Sequence, residues 1–199
     1  MDKRIIFVMI GMLVLVGTAS AWYDADWNYR KSFTINNTGS NLTNYQIMFT
    51  VNRSSGTDSG TTVYLNGKCE EDYDDVRFVM ADDTTLYNYW IESSSSTVAS
   101  IWVNFTSLPT GDTTAYLYYG NAAAAAVSDG GATFPFFDDF TSYDTVAKWT
   151  TVAGTPEASG GALVLNARDE QATSKTAFPT NTVLEFSATI PNSTTGAFG

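Results

Sequence analysis

From Ser32 onward the apolar side chains recur at every second position, and this one period decides what the chain can become. Successive side chains of an extended strand point to opposite faces, so such alternation marks strands with one buried face. Phe33 and Ile35 alternate with Ser32, Thr34 and Asn36. Tyr45, Ile47, Phe49 and Val51 alternate with Gln46, Met48, Thr50 and Asn52. Val76, Phe78 and Met80 flank Arg77 and Val79, and Ile101, Val103 and Phe105 flank Trp102 and Asn104. Ala115 to Tyr119 is a further aromatic-rich β run. No segment beyond the first residues carries a helical stripe. The Ala122 to Ala126 run favours helix, but it is too short for a stable isolated one and reads as a linker or a single turn. The expected class is all-β, an antiparallel, jelly-roll-like sandwich.

The opening residues follow another rule. Asp2, Lys3 and Arg4 precede an apolar or Gly run from Ile5 to Val16, and Ala19 and Ala21 then fit an A-x-A cleavage site. As a helix that run would span about 18 Å, short of the roughly 30 Å hydrocarbon core of a bilayer. Residues 1–21 therefore read as a secretory signal peptide, with an uncleaved membrane anchor as the alternative, which places the remainder outside the cytoplasm or at the cell surface.

Turn residues punctuate the strands at Asn37-Thr38-Gly39, Ser54 to Gly60, Asn66-Gly67, Asp82-Asp83 and Pro109 to Asp112. Between Asn121 and Gly131 the composition shifts to Ala, Gly, Ser and Asp, and a new pattern opens with FPFFDDF. The expected domains are residues 22–133 and 134–199. In the second, Leu163 and Leu165 alternate, as do Leu184, Phe186, Ala188 and Ile190. Its length is short of the roughly 100 residues of an ordinary sandwich, so it reads as the first part of one.

Scarce residues exclude much chemistry. The chain has no His and a single Cys, Cys69, which removes His-based triads, imidazole zinc sites and intrachain disulfides. A net charge of −11, about −12 without residues 1–21, argues against nucleic acid and anionic lipid as partners. No cofactor is expected. The acids at 70–75, Asp82-Asp83 and Asp138-Asp139 make Ca²⁺ the ion such a chain could hold, but no EF-hand loop is present, and turn and strand-edge acids are the simpler reading. Asp138-Asp139 is expected to pin the start of the second domain.

WNYRKSFTINNTGSNLTNYQIMFTV, DDVRFVMADDTTLYNYWIES, IWVNFTSLPTGDTTAYLYYGN and FPFFDDF occur in that order. Over about residues 26–133 the chain thereby resembles a domain-of-unknown-function family of secreted and envelope proteins in bacteria and archaea. Its hallmarks are W-x-Y-R-K, D-[IV]-R-F, Y-W-I-E and Y-Y-G-N. Members often precede a concanavalin A-like lectin/glucanase module, and residues 134–199 look like the partial start of one. The resemblance supplies no catalytic residues. Relatives often have Asp-Gly where this chain has Asp82-Asp83-Thr84, so a tight turn with φ > 0 is not guaranteed there.

A glycosidase needs two carboxyl groups about 5–10 Å apart. The candidate strand 183–190 offers only Glu185, with Ser187 and Thr189 on the same face. The expectation is a non-catalytic binding or adhesion module directed at a polysaccharide or cell-surface glycan. The rivals are the N-terminal part of an extracellular glycoside hydrolase, or a spacer of a large envelope protein reaching a membrane only through a later anchor. Aromatic faces stack on pyranose rings, so Trp102, Tyr116 and Tyr118 are the candidate ligand-binding residues, provided they meet on one exposed surface. Otherwise they are ordinary core under a second layer. Sequons at Asn36, Asn41, Asn52, Asn104 and Asn192 are candidate glycosylation sites, all expected to be accessible from strand parity or turn position. The stretch DVRFVMADDTTLYNYWIE is expected to form one hairpin, with Arg77 pairing Glu92 or a turn Asp.

Overall fold

The computed structural model describes residues 23–180 and 182–186. The chain divides into two compact units, the first ending at Phe137 and the second beginning at Asp138. The expected signal peptide and Asn192 lie outside the described residues.

The first unit is a two-sheet sandwich. Strands β1 (Tyr29–Asn37), β7 (Gly111–Tyr119) and β4 (Arg77–Met80) form one sheet, in the order β1-β7-β4. The other holds β3 (Thr62–Tyr64), β2 (Tyr45–Asn52), β6 (Val98–Phe105) and β5 (Tyr89–Ser94), in the order β3-β2-β6-β5. All pairs are antiparallel except the short parallel contact of β2 with β3. The alternating apolar sets become the facing inner surfaces. Phe49, Val51, Ile101, Val103 and Phe105 on one sheet meet Phe78, Ala115 and Leu117 on the other. Phe33 wedges edge-on between them, with ring centroids 5.0 Å from Phe49 and 6.1 Å from Phe78. Such edge-to-face pairs add to the area term because a ring's positive edge meets a negative face.

The structure departs from the alternation rule at β4. Val79 and Arg77, on the face expected to be polar, are as buried as Phe78. A second small apolar layer of Trp27, Tyr23 and Ala124 covers Val79 and Tyr118 from outside. The sheet β1-β7-β4 is therefore covered on both faces near β4.

The fingerprint stretch is also not one hairpin. Met80 N donates to Thr85 O (2.8 Å) and Tyr87 N to Phe78 O (2.9 Å), so a tight turn does form over residues 80–85. The chain then leaves the sheet, and β5 pairs with β6 in the opposite one. Tyr87 and Tyr89, both buried, carry the crossover through the core. Asp83 takes φ +58°, a left-handed conformation that Gly adopts most easily and Asp or Asn tolerate. Asp82 accepts from Thr84 N, Thr85 N and Thr85 Oγ1, and these bonds hold its carboxyl down at about 2. The turn is thus supported above the ordinary carboxylate range, and that support fades as pH falls through about 2.

Cys69 is 4% exposed, and burial, with the Asp75 charge nearby, pushes its thiol up to about 12. The thiolate is the reactive form. Iodoacetamide at pH 8 is therefore expected to leave the folded protein unlabelled and to modify Cys69 once urea unfolds it. Rapid labelling in the folded state, tracked by mass spectrometry, would contradict the buried placement.

In the second unit, β8 (Trp149–Ala153) pairs with β11 (Gln171–Ser174), and β9 (Glu157–Ser159) with β10 (Ala162–Val164). Asp138 does pin its start. The carboxylate accepts from Trp149 Nε1 (2.5 Å) and Phe140 N (3.0 Å) and faces Lys148 Nζ at 3.3 Å. The strand expected over 183–190 does not form in its described part. Residues 182–186 carry no ladder, and Leu184 and Phe186 are 68% and 74% exposed. An alternating segment becomes a strand only beside a partner, and none of the described strands pairs with it. Residues 187–190 lie outside the described residues.

Candidate functional site: a buried polar cluster and an aromatic sheet face

Three of the motifs, W-N-Y-R-K, D-V-R-F and Y-Y-G-N, meet around sheet β1-β7-β4 together with the Asp82-Asp83 turn. Trp27 Nε1 donates to Asp75 O (2.7 Å), and Asn28 Nδ2 to Gly120 O (2.5 Å). Tyr29 stacks on Tyr119 with centroids 5.4 Å apart. Arg30 Nη1 reaches Asp83 Oδ2 at 2.7 Å and Tyr118 Oη at 3.3 Å, and its guanidinium lies 4.5 Å over the Tyr116 ring. Tyr118 Oη donates to Asp83 Oδ1 (2.7 Å) and accepts from Tyr23 N (3.1 Å). The left-handed turn thus aims the Asp83 carboxylate back at the sheet.

Asp75 and Arg77, like Asp83, are buried charges. Arg77, 5% exposed, donates to Asp74 O, Val76 O, Ala125 O and Tyr89 Oη, and sits 5.1 Å over the Trp27 ring. Neither Glu92 nor a turn Asp pairs with it, contrary to expectation. Inside the sheet layer, nearby main-chain carbonyls satisfy its fork without the cost of burying a second ion. Burial pushes the Tyr89 hydroxyl up to about 12, so it stays protonated and donates to Val76 O (2.8 Å). Asp75, fully buried, accepts from Glu70 N (3.0 Å) and Gly120 N (2.6 Å). Gly120 has φ +88°, and a Cβ there would lie 2.5 Å from the Tyr29 ring. These polar groups bond one another and the main chain, which makes the cluster a fastening of loops to strands.

The surface acids behave similarly. Glu71 pairs with Arg53 (3.0 Å), and Asp72 accepts from Asp74 N (3.1 Å). Among the described residues no group of three or more Asp, Glu or Cys side chains converges as a metal site would require. A groove of about 190 Å³ opens along the free edge of β1, lined by Lys31, Phe33, Asp58, Val63 and Leu117 among others. The Lys31 ammonium is already held there by Asp58 and Tyr64 O.

The candidate aromatic residues are divided between the sheets. Tyr116 and Tyr118 lie on β7, and Tyr118 is 0% exposed beneath Tyr23. Trp102 lies on β6, on the outer face of the four-stranded sheet. The three form no common platform. Parity placed each on an outer face, but the two outer faces belong to opposite sides of the sandwich.

Trp102 has other companions. Register sets Met48 and Trp90 beside it on the neighbouring strands, giving the row Met48–Trp102–Trp90. Met48 is 40% exposed and both tryptophans are half-buried. Trp102 Nε1 donates to the exposed Glu92 Oε2 at 3.1 Å. A strap from Ser128 to Phe137 crosses one end of this face. Ser128 Oγ accepts from Ile91 N (2.8 Å), and Asp129 N donates to Tyr89 O (2.9 Å). The Asp129 side chain caps the single turn α1 (Gly130–Thr133). Gln46 Nε2 donates to Thr133 O (2.9 Å), and Phe134 and Phe137 set their rings 5.8 Å and 4.7 Å from Trp90. Phe134 also lies 5.8 Å from Trp102. The first unit therefore runs through FPFF, past the boundary expected at 133. Trp90 and the FPFF rings were not among the sequence candidates, although the W102/W90 parity match was readable once β5 was known to pair with β6.

The strap also decides the sequons. Asn36 and Asn41 are exposed, and Asn52 is half-buried. Asn104 is 8% exposed, so its expected accessibility is corrected: its parity is outward, but α1 packs on that end of β6.

These features define an all-β sandwich with an internally bonded polar cluster and one partly covered aromatic sheet face. Residues 72–152 match the model of a family described as Domain of unknown function (DUF2341). The match takes in the D-V-R-F, Y-W-I-E and Y-Y-G-N motifs and FPFFDDF, and starts after W-N-Y-R-K. No curated protein and no solved structure gives a significant match.

Proposed function

We propose that this chain is a non-catalytic binding module of the cell surface or extracellular space, directed at carbohydrate. The signal-like residues 1–21 support the location. The observation that carries the binding role is the Met48–Trp102–Trp90 row, an aromatic strip flanked by Gln46, Thr50 and Ser100 on the outer sheet face. Pyranose rings present apolar C–H faces that stack on such indoles, while flanking polar groups bond their hydroxyls. The polar cluster supports the same reading, because its carboxylates are engaged in holding the fold. A spacer role in a larger envelope protein is the competing outcome.

The test is a glycan array probed with the wild-type protein and with Trp102→Ala. The wild type is expected to retain a subset of glycans and the variant to lose them by tenfold or more in apparent affinity, as removing a stacked aromatic anchor does. Circular dichroism checks that the variant is folded. A wild type that retains nothing, or binding indifferent to Trp102, leaves the spacer as the role.

A further inference from the structure

We infer that the sheet face around Trp102 selects a cationic amino sugar, a pyranoside carrying a free protonated amine, over neutral and anionic glycans. The inference rests on the carbohydrate reading above and concerns the charge class of the ligand. Charge placement on the three strands that build the face carries it. In β2, β5 and β6, Tyr45–Asn52, Tyr89–Ser94 and Val98–Phe105, there is no Lys or Arg, and Glu92 is the sole charged residue. Glu92 sits at the bulge where β5 shifts register against β6, is exposed, and has only its Oε2 engaged, by Trp102 Nε1 on the outer face, among the bonds to described residues. Oε1 remains to accept from a ligand. The indole hydrogen bond fixes the carboxylate beside the ring on which a sugar would stack. An ammonium on that sugar then meets a carboxylate and the negative face of an indole together.

The rest of the molecule reinforces the sign. The chain carries −11 overall, so a uronate or sulfated glycan approaching this face meets repulsion without a local cation to bind it. Arg53, next to the end of β2, is committed to Glu71, Cys69 O and Ser96 O. Neutral sugars keep the stacking contribution but gain nothing from Glu92.

The experiment titrates the full protein with three oligosaccharides of equal length: a β-1,4-glucosamine hexamer, its fully N-acetylated form and a hexauronate. Tryptophan fluorescence and calorimetry report binding at pH 6 in 50 mM and 300 mM salt. The glucosamine hexamer is expected to bind about two- to fivefold more tightly than the acetylated one, the scale of one exposed ion pair. The margin should shrink at high salt, and the hexauronate should not bind. Glu92→Gln keeps an acceptor for the indole and changes net charge by one. It should erase the preference for the amine while leaving the acetylated hexamer bound. Equal affinity for amine and N-acetyl forms in the wild type overturns the inference but leaves the carbohydrate reading standing. So does an amine preference unchanged by Glu92→Gln, which would trace it to bulk charge. Failure of all three hexamers to bind overturns both.

Discussion

Arg77→Met is expected to lower the unfolding free energy by about 3 kcal/mol, because several buried acceptors lose a charged donor at once. Methionine has nearly the right length and keeps the contact with Trp27, but it donates nothing. The carbonyls of Asp74, Val76 and Ala125 and the Tyr89 hydroxyl each lose a donor. The Val76 O bond is buried, and the Asp74 and Ala125 bonds are partly so, so water repairs only some of the loss. Arg77→Lys should recover part of the deficit, because an ammonium cannot span Val76 and Ala125 as a planar fork does. Urea unfolding followed by tryptophan fluorescence gives the size of the effect. Hydrogen exchange gives its location, with faster exchange expected across 120–129, the segment Arg77 latches through Ala125. A Met variant within 1 kcal/mol of wild type would show that the cluster is dispensable.

The second large effect is expected at Asp75. Its carboxylate, fully buried, joins the loop amide of Glu70 to the Gly120 amide at the end of β7. Hydrogen bonds to an ionised acceptor contribute about 1.5–3 kcal/mol each. Asp75→Ala loses two and leaves two amides buried, while it also relieves the cost of burying a charge. The net expectation is a loss of about 3 kcal/mol. Asp75→Asn should lie between, since a single amide oxygen must serve both donors or leave one unmet. The two sites sit on opposite sides of Val76 and share the Trp27 layer, because Trp27 Nε1 bonds Asp75 O while its ring lies under Arg77. A double variant should therefore depart from additivity by more than 0.5 kcal/mol. Strict additivity would mean the two fastenings are independent.

Much of this fold is legible residue by residue. The alternation at 45–52 and 101–105 named strands and their inner faces, where Phe49, Val51, Ile101, Val103 and Phe105 are fully buried, and 115–119 was named as a β run. Asp138 was placed at the start of the second unit, where it binds Trp149. The resemblance in DVRFVM, YWIE and YYGN pointed to a family of unknown function, in keeping with the match at 72–152. The candidate site was less legible. Trp102 was singled out, but Trp90, Glu92 and the FPFF strap join it only because β5 lies beside β6 and the chain doubles back over both.

The sequence by itself determined the strand class, the face each side chain occupies and the places where the chain turns. Each of these follows from a two-residue period or from the φ preferences of a few residues, which are local properties. Tertiary structure alone decided which strands are neighbours and what covers an outer face. That choice put Tyr118 under Tyr23 and Trp102 beside Met48 and Trp90. It also turned DVRFVMADDTTLYNYWIE from one hairpin into a turn and a crossover between sheets. It depends on burial and hydrogen bonds between residues up to 95 positions apart, such as Tyr23 N to Tyr118 Oη, and no local period encodes those pairings.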